Sequence, residues 1–194
     1  IVEHISASVK NMDRIISSLL LFAKSPQPSR QSCDLNTLIK SLFKDSTSLV
    51  IPNKINPILN LNQNAVANGD SHLLKQVFIN LIRNSIQAMP EGGTLEIATQ
   101  KCSQFEQSSD QSDYYRQFIK VTVSDQGGGI LEENLTNVFN PFFTTKDHGT
   151  GLGLSISHNI IKAHQGTIDI ENEVGKGARF ILKIPCWDHE LDKK

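Results

Sequence analysis

Apolar side chains in the first 24 residues fall at Val2, Ile5, Val9, Met12, Ile16, Leu19 and Ala23. Their spacings alternate between three and four, which puts them on one seam of a helix that Ile15 and Leu20 widen. Pro26 and Pro28 end the pattern, because proline cannot continue the helical hydrogen-bond ladder. A single helix cannot bury such a seam. The pattern therefore predicts one helix of a bundle completed by others, with a core helix packed on its own domain as the alternative.

Past the Ser-Pro-Gln-Pro-Ser linker the periods change repeatedly. Asp34 is placed to cap a helix over 35–49. A strand is expected at Ile55–Leu61 and a long helix at Ser71–Met89. Gly92-Gly93 turns into a strand at Thr94–Thr99. The stretch Cys102–Gln117 is rich in Ser, Gln and Asp without periodicity and reads as an extended loop. Phe118–Ser124 alternates as a half-buried strand does. A helix at Leu152–Ala163 and strands at Thr167–Asn172 and Ala178–Ile184 finish the chain. Interspersed helices and strands predict an α/β fold, a two-layer sandwich of a mixed β-sheet and helices.

The bulk numbers narrow the function classes. At 194 residues and 21.5 kDa the chain holds one packed domain and a small appendage. A net charge of -1 gives no reason to expect nucleic acid as a partner. Cys33, Cys102 and Cys186 are scattered, with no CxxC, which argues against a disulfide framework and a zinc site and fits a reducing, cytoplasmic setting. The start lacks Met, so a fragment is expected, with room for a parent anchored at the inner membrane.

Three stretches carry candidate chemistry. On the helix at 71–89, Leu74, Phe78, Leu81, Ile82 and Ile86 form an apolar side, and Gln76, Asn80, Arg83, Asn84 and Gln87 a polar stripe. A polar stripe is usually a solvated face. Two asparagines four residues apart are a poor helix-forming choice for that purpose, and their carbonyls are hard oxygen ligands that suit Mg²⁺ beside phosphates. Asp125-Gln126-Gly127-Gly128-Gly129 follows an apolar strand, a turn by the plain reading and a close approach for a ligand by the other. Gly149-Thr150-Gly151-Leu152-Gly153 runs into an amphipathic helix, so exposed backbone N–H groups and a helix start favour phosphate. Its spacing is neither a Walker loop nor a dinucleotide fingerprint.

Taken in order, Asn80/Asn84, Asp125–Gly129, Phe139–Lys146, Gly149–Gly153 and Gly175-Lys-Gly177 resemble the N, G1, F, G2 and G3 boxes of the GHKL, or Bergerat-fold, ATP-binding superfamily. Pro-Phe-Phe-Thr-Thr-Lys and Gly-Thr-Gly-Leu-Gly-Leu are similar to those of nitrogen-regulation-type sensor histidine kinases. The resemblance implies residues 1–25 as the last helix of a dimerisation and phosphotransfer domain, 26–33 as linker, 34–187 as the catalytic ATP-binding domain and 188–194 as a polar tail.

It also implies roles. Asn84 is the Mg²⁺ ligand, with Asn80 one turn before it at the phosphate edge. Asp125 accepts from the adenine amine, and Gly127 and Gly129 shape that pocket. Residues 131–150 form a lid from which Lys146 reaches the phosphates, and Gly149, Thr150, Gly151, Leu152 and Gly153 cradle them. Hydrolase members carry a glutamate at the place of Asn80, so the resemblance implies a domain that donates phosphate rather than splitting ATP. Ala178 and Gln87 depart from the usual Thr or Ser and Lys. His4 lacks the neighbours of a phosphoacceptor, and the remaining histidines are expected to be structural. The implied partners are ATP with Mg²⁺, the protein's own phosphoacceptor helix, a response regulator receiver domain and, in the full-length protein, a second copy as homodimer. A degenerate nucleotide-binding module used for dimerisation is the alternative.

Overall fold

The computed structural model describes residues 26–44, 49–107, 113–146 and 149–187. The seam predicted over 1–24 and the tail 188–194 lie outside them. In chain order the elements are β1 (Gln31–Asp34), α1 (Leu35–Lys44), β2 (Ile55–Leu61), β3 (Val66–Gly69), α2 (Ser71–Ala88), β4 (Gly93–Gln107), β5 (Asp113–Asp125), α3 (Glu132–Leu135), α4 (Gly153–Ala163), β6 (Thr167–Glu173) and β7 (Gly177–Pro185).

Five strands form one mixed sheet in the order β2-β4-β5-β7-β6, in which β2 and β4 run parallel and the other neighbours antiparallel. A small antiparallel pair, β1 with β3, lies apart. Alternation explains the layers: Ile119, Val121 and Val123 of β5 are wholly buried, as are Leu182 and Ile184 of β7. Leu74, Val77, Phe78, Leu81 and Ile82 of α2 meet them with Ile156, Ile160 and Ile161 of α4. Each fully buried aliphatic side chain contributes about 1.5–3 kcal/mol relative to exposure. The opposite face of the sheet is polar, with Arg179 paired to Glu171 at 3.3 Å and Asn60 donating to Glu96 at 2.7 Å.

Local chemistry sets the helix ends. Asp70 caps α2 by accepting from the backbone N–H groups of His72 and Leu73. His164, just past α4, is wholly buried. Its Nε2 accepts from the Asp70 N–H at 2.9 Å, and its Nδ1 lies 2.7 Å from the Ile160 carbonyl. Those partners require the neutral tautomer with the proton on Nδ1. One imidazole thus ties the end of α4 to the start of α2, a structural role of the kind expected for it.

Two expectations need correction. The helix capped by Asp34 is described over Leu35–Lys44 and does not include Leu49, and Asp34 accepts from Asn36 N–H at 2.9 Å as the cap should. The described residues of the stretch Cys102–Gln117 are strand, not loop. β4 continues to Gln107 and β5 begins at Asp113, paired in register from Cys102↔Phe118 to Gln107↔Asp113. This ribbon outruns its neighbours, since β2 stops pairing at Thr99 and β7 at Phe118. With Ser103, Gln104, Phe105, Tyr115 and Gln117 exposed, its described side chains carry no hydrophobic alternation to read. Backbone pairing, the Phe105–Tyr115 ring contact at 5.6 Å and the Gln117–Ser103 hydrogen bond hold it. Strands β1 and β3, four residues each, and the one-turn α3 went unpredicted because a period needs more residues to show.

Candidate functional site

β5 ends at Asp125 beside the last turns of α2, and the chain then loops through 126–152 before α4 begins. Between α2 and that loop lies a cavity of about 630 Å³, the size of a small-molecule site. The whole polar stripe of α2 lines it: Gln76, Asn80, Arg83, Asn84 and Gln87. These residues therefore line a cleft, with Gln87 at its exposed edge.

Asp125 is 8% exposed and, among the described residues, is the one carboxylate lining the cavity. Its Oδ1 accepts from the N–H groups of Gly127 at 3.0 Å and Ala178 at 3.3 Å. Among the described residues Oδ2 carries no hydrogen bond, so a strong acceptor remains for a ligand donor. Ala178 contributes its backbone N–H and no side-chain polar atom.

Asn80 fastens α2 to α4. Its Nδ2 donates to the Gly153 carbonyl at 3.2 Å, and Ser157 Oγ donates to the same oxygen at 2.9 Å. One turn on, Asn84 Oδ1 accepts from Lys146 Nζ at 3.3 Å, and Gln87 Oε1 accepts from it at 2.6 Å. Burial pushes the Lys146 ammonium below the ordinary lysine range, with the Asp125 carboxylate pulling the other way.

The glycines divide by what surrounds them. Gly149, Gly151 and Gly153 line the cavity with Thr150. Gly151 has φ +65, and a Cβ there would drive into the backbone of Phe142. Gly129 (φ +70) also lines the cavity, and its missing Cβ leaves room for the Glu173 carbonyl at 2.7 Å. Gly127 and Leu152 do not line it. Gly127 packs on Ala88, where a Cβ would meet the carbonyl oxygen at 2.6 Å, and Leu152 is buried in the core. The sequence reading missed Asn172, which pins the start of the loop from β6: Ile130 N–H donates to its Oδ1 and its Nδ2 donates back to the Ile130 carbonyl, both at 2.7 Å. A lone strand asparagine offers no pattern that would have flagged it. Of the Phe139–Lys146 run, Phe143 lines the cavity, Phe142 is exposed and Phe139 packs against His158.

The donor set bears on a metal. No group of three or more His, Cys, Asp or Glu among the described residues could hold an ion. The oxygen at hand is the Asn84 carbonyl, and Lys146 marks its attraction for positive charge. One neutral oxygen suits Mg²⁺, which keeps water and takes further ligands from substrate phosphates. No disulfide joins the three cysteines, and burial raises the Cys33 pKa. Among the described residues no helix is long and apolar enough to cross a membrane.

Known proteins agree with this geometry. Residues 69–188, more than half of the chain, match the family described as histidine kinase-, DNA gyrase B-, and HSP90-like ATPase. Sporulation kinase C of Bacillus subtilis (strain 168) is 36% identical over 187 residues, which cover 93% of this chain and 40% of that protein. Sensor histidine kinase ZraS of Escherichia coli (strain K12) is 33% identical over 178 residues, covering 90% of this chain and 35% of that protein. The chain thus spans two fifths or less of the length of these relatives. The solved catalytic domain of histidine kinase ThkA superposes with a TM-score of 0.65 at 33% identity, covering 81% of this chain and 95% of that one. This chain belongs to the histidine kinase-, DNA gyrase B- and HSP90-like ATPase family and carries a catalytic domain of the sensor histidine kinase type.

Proposed function

We propose that this domain holds Mg-ATP and donates its γ-phosphoryl group to a histidine on a dimerisation helix of the parent protein, for relay to a response regulator. One observation carries the donor reading: among the described residues Asp125 is the one carboxylate in the cavity lining, and it is bound at the end of β5 by two backbone N–H groups. The place where a water-activating acid would stand is Asn80, which has no basicity and is engaged with Gly153.

The residues divide the work by position. Asp125 Oδ2 is free to accept from the amine of an adenine inserted between β5 and α2. The N–H groups of Thr150, Gly151 and Gly153 at the start of α4 would face the phosphates, while those of Gly149 and Leu152 donate to the Lys146 carbonyl and Thr150 Oγ. Asn84 Oδ1 would hold Mg²⁺, which when bound neutralises charge on the transferring phosphoryl group. Lys146 adds a cation from the loop side. The remaining share of catalysis is alignment of the acceptor nitrogen with the γ-phosphorus.

The test supplies the acceptor. The chain is incubated with Mg²⁺ and γ-labelled ATP, alone and with a separately produced dimerisation segment of the parent. Acid-labile phosphate is expected on that segment and none on this chain. Steady phosphate release without acceptor would refute the donor reading, and saturable nucleotide binding with no transfer would favour the dimerisation module.

A further inference from the structure

Lys146 Nζ stands 2.6 Å from Gln87 Oε1 and 3.3 Å from Asn84 Oδ1. The acceptors are three residues apart on α2, and the donor comes from the far side of the cavity. One ammonium therefore staples the loop to the helix. Both acceptors are neutral amide oxygens, so the contact positions the charge without cancelling it. Asn84 Oδ1 is also the oxygen that fits Mg²⁺. An ammonium within 3.3 Å and a divalent cation on the same atom repel each other by a few kcal/mol, roughly, even at the effective dielectric of a site near the protein surface.

The two cations must therefore alternate, and the shorter bond shows which residue holds the lysine in waiting. Resting on the Mg-ATP reading above, we propose that Gln87 is a positioning residue: it parks Lys146 on α2, so that the ammonium covers Asn84 until Mg²⁺ and nucleotide displace it toward the phosphates. Loop and metal site are then coupled through one side chain. Gln87 is exposed on α2, so substitution there spares the core.

The contact is tested first without nucleotide. Lysyl endoprotease cleaves after Lys146 only when that side chain leaves its partners, and mass spectrometry follows the fragment. Loss of a hydrogen bond from a charged donor predicts cleavage about ten-fold faster in Gln87→Ala, and slower than wild type in Gln87→Glu. Equal rates across the three proteins overturn the parking role. Calorimetric titration with ADP then reads the exchange. The ratio of affinities with Mg²⁺ and with chelator is expected to rise about five-fold in Gln87→Ala, since Mg²⁺ no longer competes with a held lysine. An unchanged ratio overturns the coupling. A wild-type protein that binds ADP in neither condition would overturn the Mg-ATP reading and the exchange with it, while the protease series still judges the contact alone.

Discussion

Asp125→Asn separates the ligand contact from the fold, because the two oxygens of this carboxylate have different tasks. Oδ1 accepts from Gly127 and Ala178 at 3.0 and 3.3 Å. An asparagine placed with its carbonyl on that side keeps both bonds. The cost to stability is then the difference between charged and neutral acceptors, about 1 kcal/mol. On the other side an NH₂ group replaces Oδ2 and points a donor at the donor of an adenine amine. A charge-assisted hydrogen bond of about 1.5–3 kcal/mol is lost and a donor–donor clash added. The affinity for ADP with Mg²⁺ should fall on the order of 100-fold. The same substitution should improve binding of a 6-oxo purine nucleotide such as IDP, whose carbonyl accepts from the new amide. Isothermal calorimetry with both nucleotides and thermal unfolding of both proteins form the assay. Undiminished ADP affinity would show that Asp125 does not face the purine. Collapse of the unfolding transition would show that the two backbone bonds need a charge.

Three further outcomes follow from the geometry. Gly151→Ala should weaken nucleotide binding about ten-fold or more with little change in global stability, since φ +65 and the Phe142 backbone exclude the methyl group; equal affinity would remove this loop from the site. Burial pushes His164 below the ordinary imidazole range, against the Ile160 carbonyl and the Asp70 carboxylate, with the Arg30 guanidinium adding to the depression. Its unfolded form binds protons more readily, so stability is fully present above about pH 6.5 and falls as pH drops below it, by at most about 1.4 kcal/mol per unit. Urea midpoints between pH 7.5 and 5.5 check this, and a His164→Phe protein should lose that slope. Asn80→Asp replaces the donor to Gly153 by an acceptor and should destabilise the domain by about 1–3 kcal/mol in urea titration; unchanged stability would mean the α2–α4 bridge is idle.

What the sequence made legible depended on whether a residue's role leaves a period or a spacing. The buried strand Phe118–Asp125 and the helix Ser71–Ala88 alternate because each has one face in the core, and both were readable. The ribbon formed by the outer halves of β4 and β5 leaves most of its described side chains exposed, so its polar residues read as a loop although the two strands pair as far as Gln107↔Asp113. In the site, glycines and asparagines stood out because their chemistry is poorly explained by solubility. The pairing of Lys146 with Gln87 and the clasp of Asn172 on Ile130 join residues 59 and 42 positions apart. No local pattern encodes such contacts; they exist because the sheet order sets β6 and the end of α2 around one loop.

Asn80 shows why chemistry and packing cannot be separated in this fold. The side chain that denies the cavity a general base is also the one that joins α2 to the first residue of α4. The carbonyl it meets is shared with Ser157, so the donor at position 80 and the hydroxyl at 157 are satisfied together. A carboxylate in that place would have to turn away from Gly153 to avoid a like-charged approach, and α4 would lose a tie at the turn from which phosphate is held. On the proposed reading, converting this domain from donating phosphate to splitting ATP therefore asks for more than one substitution. The base would need a new orientation, and the start of α4 would need another anchor. The wholly buried His164 already supplies one anchor at the opposite end of the same helix pair. With both in place, α4 is held at each end against α2, and the glycine loop that feeds α4 is carried on a fixed support while Lys146 reaches α2 through its side chain.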